Sequence, residues 1–335
     1  MRKYLFMLPA ISLLVFPNCI YADDVIYGET TGVAGDVSTL QAAIRNARAA
    51  CSGISDSMAD LKKMAGINTA VTAVGTVAGG VALGTGIAKA SKDREYDDLK
   101  EKVEKLIKEK SGVEIQSLEI ADMNAFKAEI AKIVEDTNNN LTNTDVDDDL
   151  QKMSDAERKS KTLGHIRTGG LATSTATNIA GTVIAANNKV DNDLSAKIAG
   201  CIGAIQHLSN ARLAAKVEGT GTPEEITKAE KIVDGCSDYS IVDLKPINNR
   251  AKGAAISSGV GVGTGAVGVI TSVLANTDKV RYGDDKKEKK LNTTANVMAG
   301  ASTAASAVAT IFNATQISAI KKVATVADAC EEALR

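Results

Sequence analysis

The sequence contains an internal duplication, which constrains the fold more than any local pattern does. Leu163 to Cys201 and Leu291 to Cys330 are nearly equal in length, and both run from a lysine-flanked leucine through Ala/Ser/Thr-rich sequence. Upstream of each, a short cysteine motif (ACSGIS at Ala50, GCSDYS at Gly235) leads to an uncharged Gly/Val segment. Because a repeated sequence folds into a repeated structural unit, the chain is predicted to contain two copies of one unit.

Each copy is predicted to be a helical hairpin. The first copy covers residues 38–215 and the second covers residues 222–335. The connector between the two hairpin helices is long and charged in the first copy (89–162) and short in the second (276–290). The predicted fold is therefore all-α, with two duplicated hairpins forming a four-helix bundle and a small, mainly helical insert in the first hairpin.

Local signals support helices within and around the insert. Residues 98–110 and 122–134 each carry an apolar stripe at helical spacing, and capping-box patterns begin at Ser154 and Thr222. The run NNNLTNTDVDDD (138–149) predicts a polar loop. The stripe residues are Leu99, Val103, Leu106 and Ile107 in the first helix, and Met123, Phe126, Ile130 and Ile133 in the second.

The glycines of the uncharged segments recur at intervals of four residues. Each interior glycine costs a helix about 1 kcal/mol relative to alanine, so a packing gain must offset it. Small residues at this spacing let two helices approach closely, and the pattern resembles the glycine zippers of bacterial envelope and membrane-inserting proteins. Glycine faces are predicted to pack on alanine faces. The glycines are Gly75, Gly79, Gly80, Gly84, Gly259, Gly261, Gly263 and Gly265; the alanines are Ala172, Ala176, Ala180, Ala301, Ala305 and Ala309.

Four cysteines follow the N-terminal region, and an even number in an exported chain predicts disulfides. If the two repeats carry equivalent bonds, Cys51 pairs with Cys201 and Cys236 pairs with Cys330. Four cysteines allow three connectivities, so this pairing rests on symmetry alone.

The N-terminus is typical of a secretory signal. Arg2 and Lys3 precede an apolar stretch, and Ala22 offers a cleavage point, so residues 1–22 are predicted to be a signal peptide. Residues 23–37 are predicted to be disordered. The chain is expected in the periplasm or cell envelope, with the inner membrane as one candidate site.

Composition argues against several function classes. The formal net charge is −2 and only 3% of residues are aromatic, so neither a basic stripe nor stacking platforms suggest nucleic-acid binding. The only histidines, His165 and His207, have no obvious catalytic or metal-ligating neighbours. We therefore expect a non-catalytic protein without cofactor or metal.

Four uncharged segments, residues 67–88, 168–188, 253–275 and 291–320, are each long enough to span a bilayer. In such a topology the four cysteines lie outside and the charged connectors inside. The two Ala/Thr segments are poorly hydrophobic, however, and soluble coiled-coil-like rods explain the same cysteine arrangement. The sequence leaves both alternatives open.

Three functions are compatible with these features. The first is a membrane-associated envelope scaffold or assembly component that self-associates through its glycine-rich helices. The second is a pore-forming or membrane-permeabilising protein, and the third is a soluble periplasmic adaptor that binds an envelope partner through insert 89–162. A homo-oligomer is expected whether the protein is membrane-associated or soluble, because pairing with another copy covers the uncharged surfaces.

Overall fold

A computed structural model describes residues 39–113, 122–136, 143–277, 280 and 285–335. The predicted signal peptide and the predicted disordered segment 23–37 lie outside these residues. Every regular element in the described part is helical. The α-helices are α1 Thr39–Cys51, α2 Ile54–Ser111, α3 Met123–Asp136, α4 Asn143–Asn187, α5 Asn192–Glu218, α6 Pro223–Gly235, α7 Lys245–Ala275 and α8 Asp285–Leu334; a 3₁₀ turn covers Ser237–Ile241.

Four long helices form the predicted bundle. Helix α2 packs against α4 and α8, and α7 also packs against α4 and α8, so the helices form a closed ring of antiparallel neighbours. Cross-helix contacts give the direction: Gly75 meets Thr177 and Gly79 meets Ser174 between α2 and α4. The all-α hairpin fold predicted from the duplication is confirmed.

Helix α2 is much longer than the Gly/Val segment from which it was predicted. It has 58 residues and, at about 1.5 Å per residue, extends roughly 87 Å. Gly53 (φ 75°) and Gly112 (φ 74°) adopt the left-handed conformation at its two ends, which few other residues tolerate. Because α2 continues beyond residue 89, the insert shares its first helix with the hairpin.

The buried residues of the four bundle helices alternate in steps of three and four, which is the heptad spacing of coiled coils. On α7 the buried residues are Ile247, Ala251, Ala254, Ser258, Gly261, Gly265, Gly268, Ser272 and Ala275. On α2 the same alternation runs from Ala65 through Asn68, Thr72, Gly75, Gly79, Ala82 and Gly86 to Lys89.

The insert forms an apolar cluster at one end of the bundle. The stripes predicted on residues 98–110 and 122–134 meet there with Val146, Leu150 and Met153 of α4. The prediction of a polar loop over 138–149 is wrong for its C-terminal half, because α4 begins at Asn143. Asp147 and Asp148 are exposed, and Asp149 is paired, with its Oδ2 atom 2.6 Å from Lys102 Nζ, so these residues are compatible with the helix.

The opposite end, which we call the cysteine end, holds the largest apolar cluster. Helices α1, α5 and α6 pack there around the adjoining ends of α2, α7 and α8, and all four described cysteines lie in this cluster. Helix α6 begins with the capping box predicted at Thr222, where Glu225 N donates to Thr222 Oγ1 and Thr222 N donates to Glu225 Oε2.

Candidate functional site: a polar interior inside an apolar surface

The middle of the bundle has polar side chains inside, where globular proteins normally place apolar ones. Between the two end clusters, the described apolar core is reduced to one small cluster of Ala82, Leu171 and Ala299. The other interior positions are divided between small residues, glycine and alanine, and polar residues. The polar residues that are fully buried are Asn68, Thr72, Lys89, Ser160, Arg167, Ser174, Asn178, Ser258, Ser272, Ser302, Ser306, Asn313 and Gln316.

Hydrogen bonds between helices connect the uncharged part of this interior. Asn68 Nδ2 donates to Asn313 Oδ1 (2.9 Å), which joins α2 to α8. Ser306 Oγ donates to Asn178 Oδ1 (3.0 Å), which joins α8 to α4. Each bond satisfies one atom of a buried amide, and such pairing offsets the cost of burying it. Asn68 Oδ1 and Asn178 Nδ2 have no hydrogen-bond partner among the described residues.

A charged network lies at the end of the uncharged segments nearer the insert. Lys89 Nζ lies 2.6 Å from Asp93 Oδ2 and 3.3 Å from Glu288 Oε1, so one buried cation joins α2 to α8. Ser160 Oγ of α4 donates to Asp93 Oδ1. A buried charge is tolerated only where it is paired in this way.

Arg167 extends the network to the remaining helix. Its guanidinium is fully buried and donates to three oxygens: Ser272 Oγ (2.9 Å) on α7, and Asn292 Oδ1 (2.9 Å) and Asn296 Oδ1 (3.2 Å) on α8. Asn292 Nδ2 donates in turn to Asp93 Oδ2 (3.3 Å). Charged, amide and hydroxyl groups from all four helices therefore form one hydrogen-bonded network.

Half of the predicted glycine positions lie in the bundle seam. A Cβ on Gly75 would lie 2.5 Å from Thr177 Oγ1, and one on Gly261 would lie 2.5 Å from Asn178 Nδ2. Gly79 and Gly265 are similarly close to Thr303 and Thr175. These four glycines are needed because a side chain would collide with the facing helix.

The other four predicted glycines are not in the seam. Gly80, Gly84, Gly259 and Gly263 are exposed, and nothing lies within 4 Å of a Cβ built on any of them. The prediction was wrong for these positions because a four-residue spacing occurs on two faces of each helix, and only the heptad alternation selects the inner face.

The predicted alanine face of α4 is also wrong. Ala172, Ala176 and Ala180 are exposed, whereas Ala305 and Ala309 of α8 are buried and Ala301 is half-buried. On α4 the glycines face Ser174, Thr175, Thr177 and Asn178 instead. Short polar side chains fill the same space as alanine and also hydrogen-bond in the interior.

The outer surface of the same section is apolar. Large aliphatic side chains that are at least 40% exposed occur on all four helices, and Val77 is 68% exposed. They are Ile67, Val74, Val77, Val81, Ile87, Ile179, Val183, Ile256, Val260, Val267, Ile270, Val273, Leu274, Val297, Val308 and Ile311. This distribution of polarity is the reverse of that in a water-soluble bundle.

Within the described residues, three stretches of helix are long and apolar enough to cross a membrane: Thr39–Ser111, Lys245–Ala275 and Lys286–Leu334. At most 33% of the most apolar window in each is buried inside the protein. Their hydrophobic residues therefore cover the outside of the bundle. Helix α4 does not reach this hydropathy but packs between α2 and α7.

The disulfides lie side by side at the cysteine end. Cys51 bonds to Cys201 and Cys236 bonds to Cys330, the pairs that repeat symmetry predicts. The sulfur atoms of Cys51, Cys201 and Cys330 all lie within 4.8 Å of one another. As partners in disulfides they are not free thiolates, which are the form of cysteine that binds metal ions.

Tyr239 lies in the same apolar cluster and is 1% exposed. Burial, together with the nearby Glu331 and Asp328, raises the pKa of its phenol. Its hydroxyl makes no hydrogen bond within the described residues.

The interior groups can bind one another and hold four helices in register.

His165 and His207 are exposed and lie on separate helices. Comparison with protein-family models, curated proteins and solved structures gave no match.

Proposed function

We propose that this protein is a non-catalytic, membrane-spanning scaffold of the bacterial envelope. One observation carries the proposal: the four uncharged segments direct most of their Ser, Asn and Gln side chains inward and most of their large aliphatic side chains outward. Water would destabilise such a surface, whereas lipid solvates it.

The dimensions agree with a bilayer. Segments 67–88 and 168–188 contain 22 and 21 residues, so at about 1.5 Å per residue they extend roughly 31–33 Å. The hydrocarbon core of a bilayer is about 30 Å thick. Segments 253–275 and 291–320 are longer, which permits tilt or extension into the headgroup region.

The polar interior is compatible with this environment. Within a membrane, polar side chains occur where they face a bundle interior and bond to one another. The Lys89, Asp93, Glu288 and Arg167 network lies at one border of the apolar surface, and the disulfides lie beyond the other. We assign the cysteine end to the oxidising, external side.

The packed interior favours a scaffold over a pore. Gly75, Gly79, Gly261 and Gly265 contact the facing helices so closely that a methyl group does not fit, and Leu171 fills the centre. The exposed aliphatic surface also disfavours the soluble adaptor, which would have to cover it.

Self-association is the second component of the proposal. Gly80 and Gly84 on α2 and Gly259 and Gly263 on α7 face outward, where no contact with the described part of the chain offsets their helix cost. In a membrane, outward small residues allow the helix of a second copy to approach closely.

Substitution of the outward glycines tests this component. Gly80→Leu with Gly84→Leu is expected to shift the protein from oligomer to monomer in mild detergent, measured by light scattering on a sizing column. Gly200→Leu with Gly203→Leu is the matched control, because these α5 glycines are also unobstructed but lie outside the uncharged segments. An unchanged mass for the first pair would contradict self-association through these glycines.

Alkaline carbonate extraction tests membrane integration. Membranes from cells expressing the full chain are extracted, and the protein is expected in the pellet. Release into the supernatant would overturn the proposal and favour a soluble rod.

Site-directed labelling tests the topology. Lys228→Cys on α6 and Lys127→Cys on α3 place single thiols at opposite ends of the molecule, because the four native cysteines described are in disulfides. In spheroplasts, a membrane-impermeant maleimide is expected to label the first variant only, and both after permeabilisation. Equal labelling of both in intact spheroplasts would contradict a spanning bundle.

A further inference from the structure

At the cysteine end, the charged residues nearest to each uncharged segment are basic. We call these residues the basic border: Lys62 and Lys63 on α2, Lys189 after α4, Arg250 and Lys252 on α7, and Lys321 and Lys322 on α8. On each helix or its flanking segment, the nearest acidic residue lies farther from the uncharged segment than the basic residues do. These acidic residues are Asp60, Asp191, Asp243 and Asp328.

Contacts between the helices place the basic border at one level of the bundle. With its side-chain amide oriented so that the nitrogen faces an acceptor and the oxygen faces a donor, Asn188 donates to the Leu61 carbonyl oxygen (3.1 Å). Lys189 therefore lies level with Lys62. Gln316 Nε2 donates to the Asn188 carbonyl oxygen (2.7 Å), which brings α8 to this level. Arg250 donates to the Thr315 carbonyl oxygen (2.6 Å), so the basic residues of α7 also lie at this level.

The border lysines are exposed and uncompensated. All six are solvent-accessible, and none forms an ion pair with a carboxylate in the described part of the chain. Some surface lysines near the insert are paired instead: Lys105 pairs with Glu101 and Lys152 pairs with Asp148. Among the described residues, the border therefore carries a ring of positive charge without direct ion pairs, and Asp60, Asp191 and Asp193 line the same pocket as Lys189.

We infer that the basic border binds anionic phospholipid headgroups where the bundle leaves the membrane on the cysteine side. The inference rests on the proposed membrane-spanning function. Its position carries the argument, because the ring coincides with the edge of the apolar surface on all four helices. Lysines at such an edge extend toward the headgroups while their aliphatic stems remain against lipid.

Charge complementarity identifies the headgroup. A ring of unpaired cations attracts a phosphate-bearing lipid of net negative charge and gains little from a zwitterionic one. A soluble anionic partner would gain nothing from the alignment of the ring with the apolar edge. The attraction is expected to weaken as salt rises, since the border lies in the aqueous headgroup layer.

Reconstitution with defined lipids tests the inference. The full-length protein is placed in nanodiscs of phosphatidylcholine alone or of phosphatidylcholine with phosphatidylglycerol, and lipids retained after extraction are counted by native mass spectrometry. The wild type is expected to retain phosphatidylglycerol selectively. Combining Lys62→Gln, Lys63→Gln, Lys321→Gln and Lys322→Gln is expected to reduce that retention at least roughly tenfold.

The matched control removes the same number of charges elsewhere. It combines Lys110→Gln, Lys127→Gln, Lys228→Gln and Lys231→Gln, which lie on α2, α3 and α6 away from the border. Equal loss of retention in control and border variants would overturn the inference, because a general charge effect would then explain the result.

The two proposals fail differently. If the wild type enters both kinds of nanodisc but retains no phosphatidylglycerol selectively, the headgroup inference is wrong and the membrane-spanning function stands. If the wild type does not enter nanodiscs and is released by carbonate, the function itself is wrong.

Discussion

Adjacent residues of α2 have opposite environments. Gly79 contacts Thr303 and Ser174 on two neighbouring helices, whereas Gly80 faces open space. Both belong to four-residue glycine spacings, so that spacing alone could not separate them. The role of a glycine in this protein depends on its heptad position.

A pair of alanine substitutions measures this difference. Gly79→Ala is expected to destabilise the protein by about 1–3 kcal/mol, because the added methyl would lie 3.2 Å from the Thr303 backbone. Gly80→Ala is expected to stabilise it by about 0.5–1 kcal/mol through helix propensity. Reversible unfolding in detergent measures both, and equal effects would contradict the assigned seam.

Tyr239 is expected to make stability depend on alkaline pH. Its folded-state pKa is raised, so ionisation favours the unfolded state. Its contribution is intact below the unfolded pKa of about 10 and declines as pH rises above it. Above about pH 10, the melting temperature of the Tyr239→Phe variant should therefore decrease less with rising pH than that of the wild type. Parallel pH profiles for the two proteins would show that Tyr239 does not ionise on unfolding.

The long helices are continuous where local sequence signals suggested breaks. Ser154 begins a capping-box pattern but lies inside α4, because Leu150, Met153 and Ala156 on either side pack into the core. Thr222 has a similar pattern and does begin a helix, since Gly221 and Pro223 flank it. A capping-box pattern therefore begins a helix where flanking residues also break the preceding helix, and tertiary packing overrides the pattern where they do not.

Each disulfide is expected to stabilise the elements that it joins. Cys51–Cys201 spans 150 residues and Cys236–Cys330 spans 94. Replacing either pair with alanine is expected to cost about 2–5 kcal/mol, with about 0.4 kcal/mol more for the longer loop. Thermal unfolding of both double variants, with the wild type under reducing conditions as reference, measures this. A negligible loss for either pair would show that the apolar cluster alone holds that end together.

At the scale of the whole molecule, polarity is inverted only between the two end clusters. Both ends have ordinary apolar cores, whereas the section between them has a polar core and an aliphatic surface. The molecule therefore combines two water-stable ends with a middle suited to lipid.

A single carboxylate introduced on the aliphatic surface tests whether that surface faces lipid or water. Val77→Asp is expected to prevent membrane integration, because an aspartate near the centre of a spanning helix costs about 2.5–3.5 kcal/mol. Val217→Asp is the control, since Val217 is 87% exposed on α5, outside the uncharged segments. The fraction in the carbonate pellet is measured for both. Full integration of Val77→Asp would show that this surface does not face lipid.

The sequence by itself determined the all-α fold, the two hairpins, the cysteine pairing implied by symmetry and the apolar stripes of the insert. These follow from a duplication and from local periodicity, which are properties of the chain order. Only the tertiary structure decided which glycines and alanines face inward, because polar seam residues such as Asn68, Asn178 and Arg167 give no hydrophobic signal. It also decided that most large apolar residues lie outside, since the orientation of each helix depends on the two helices beside it in the ring.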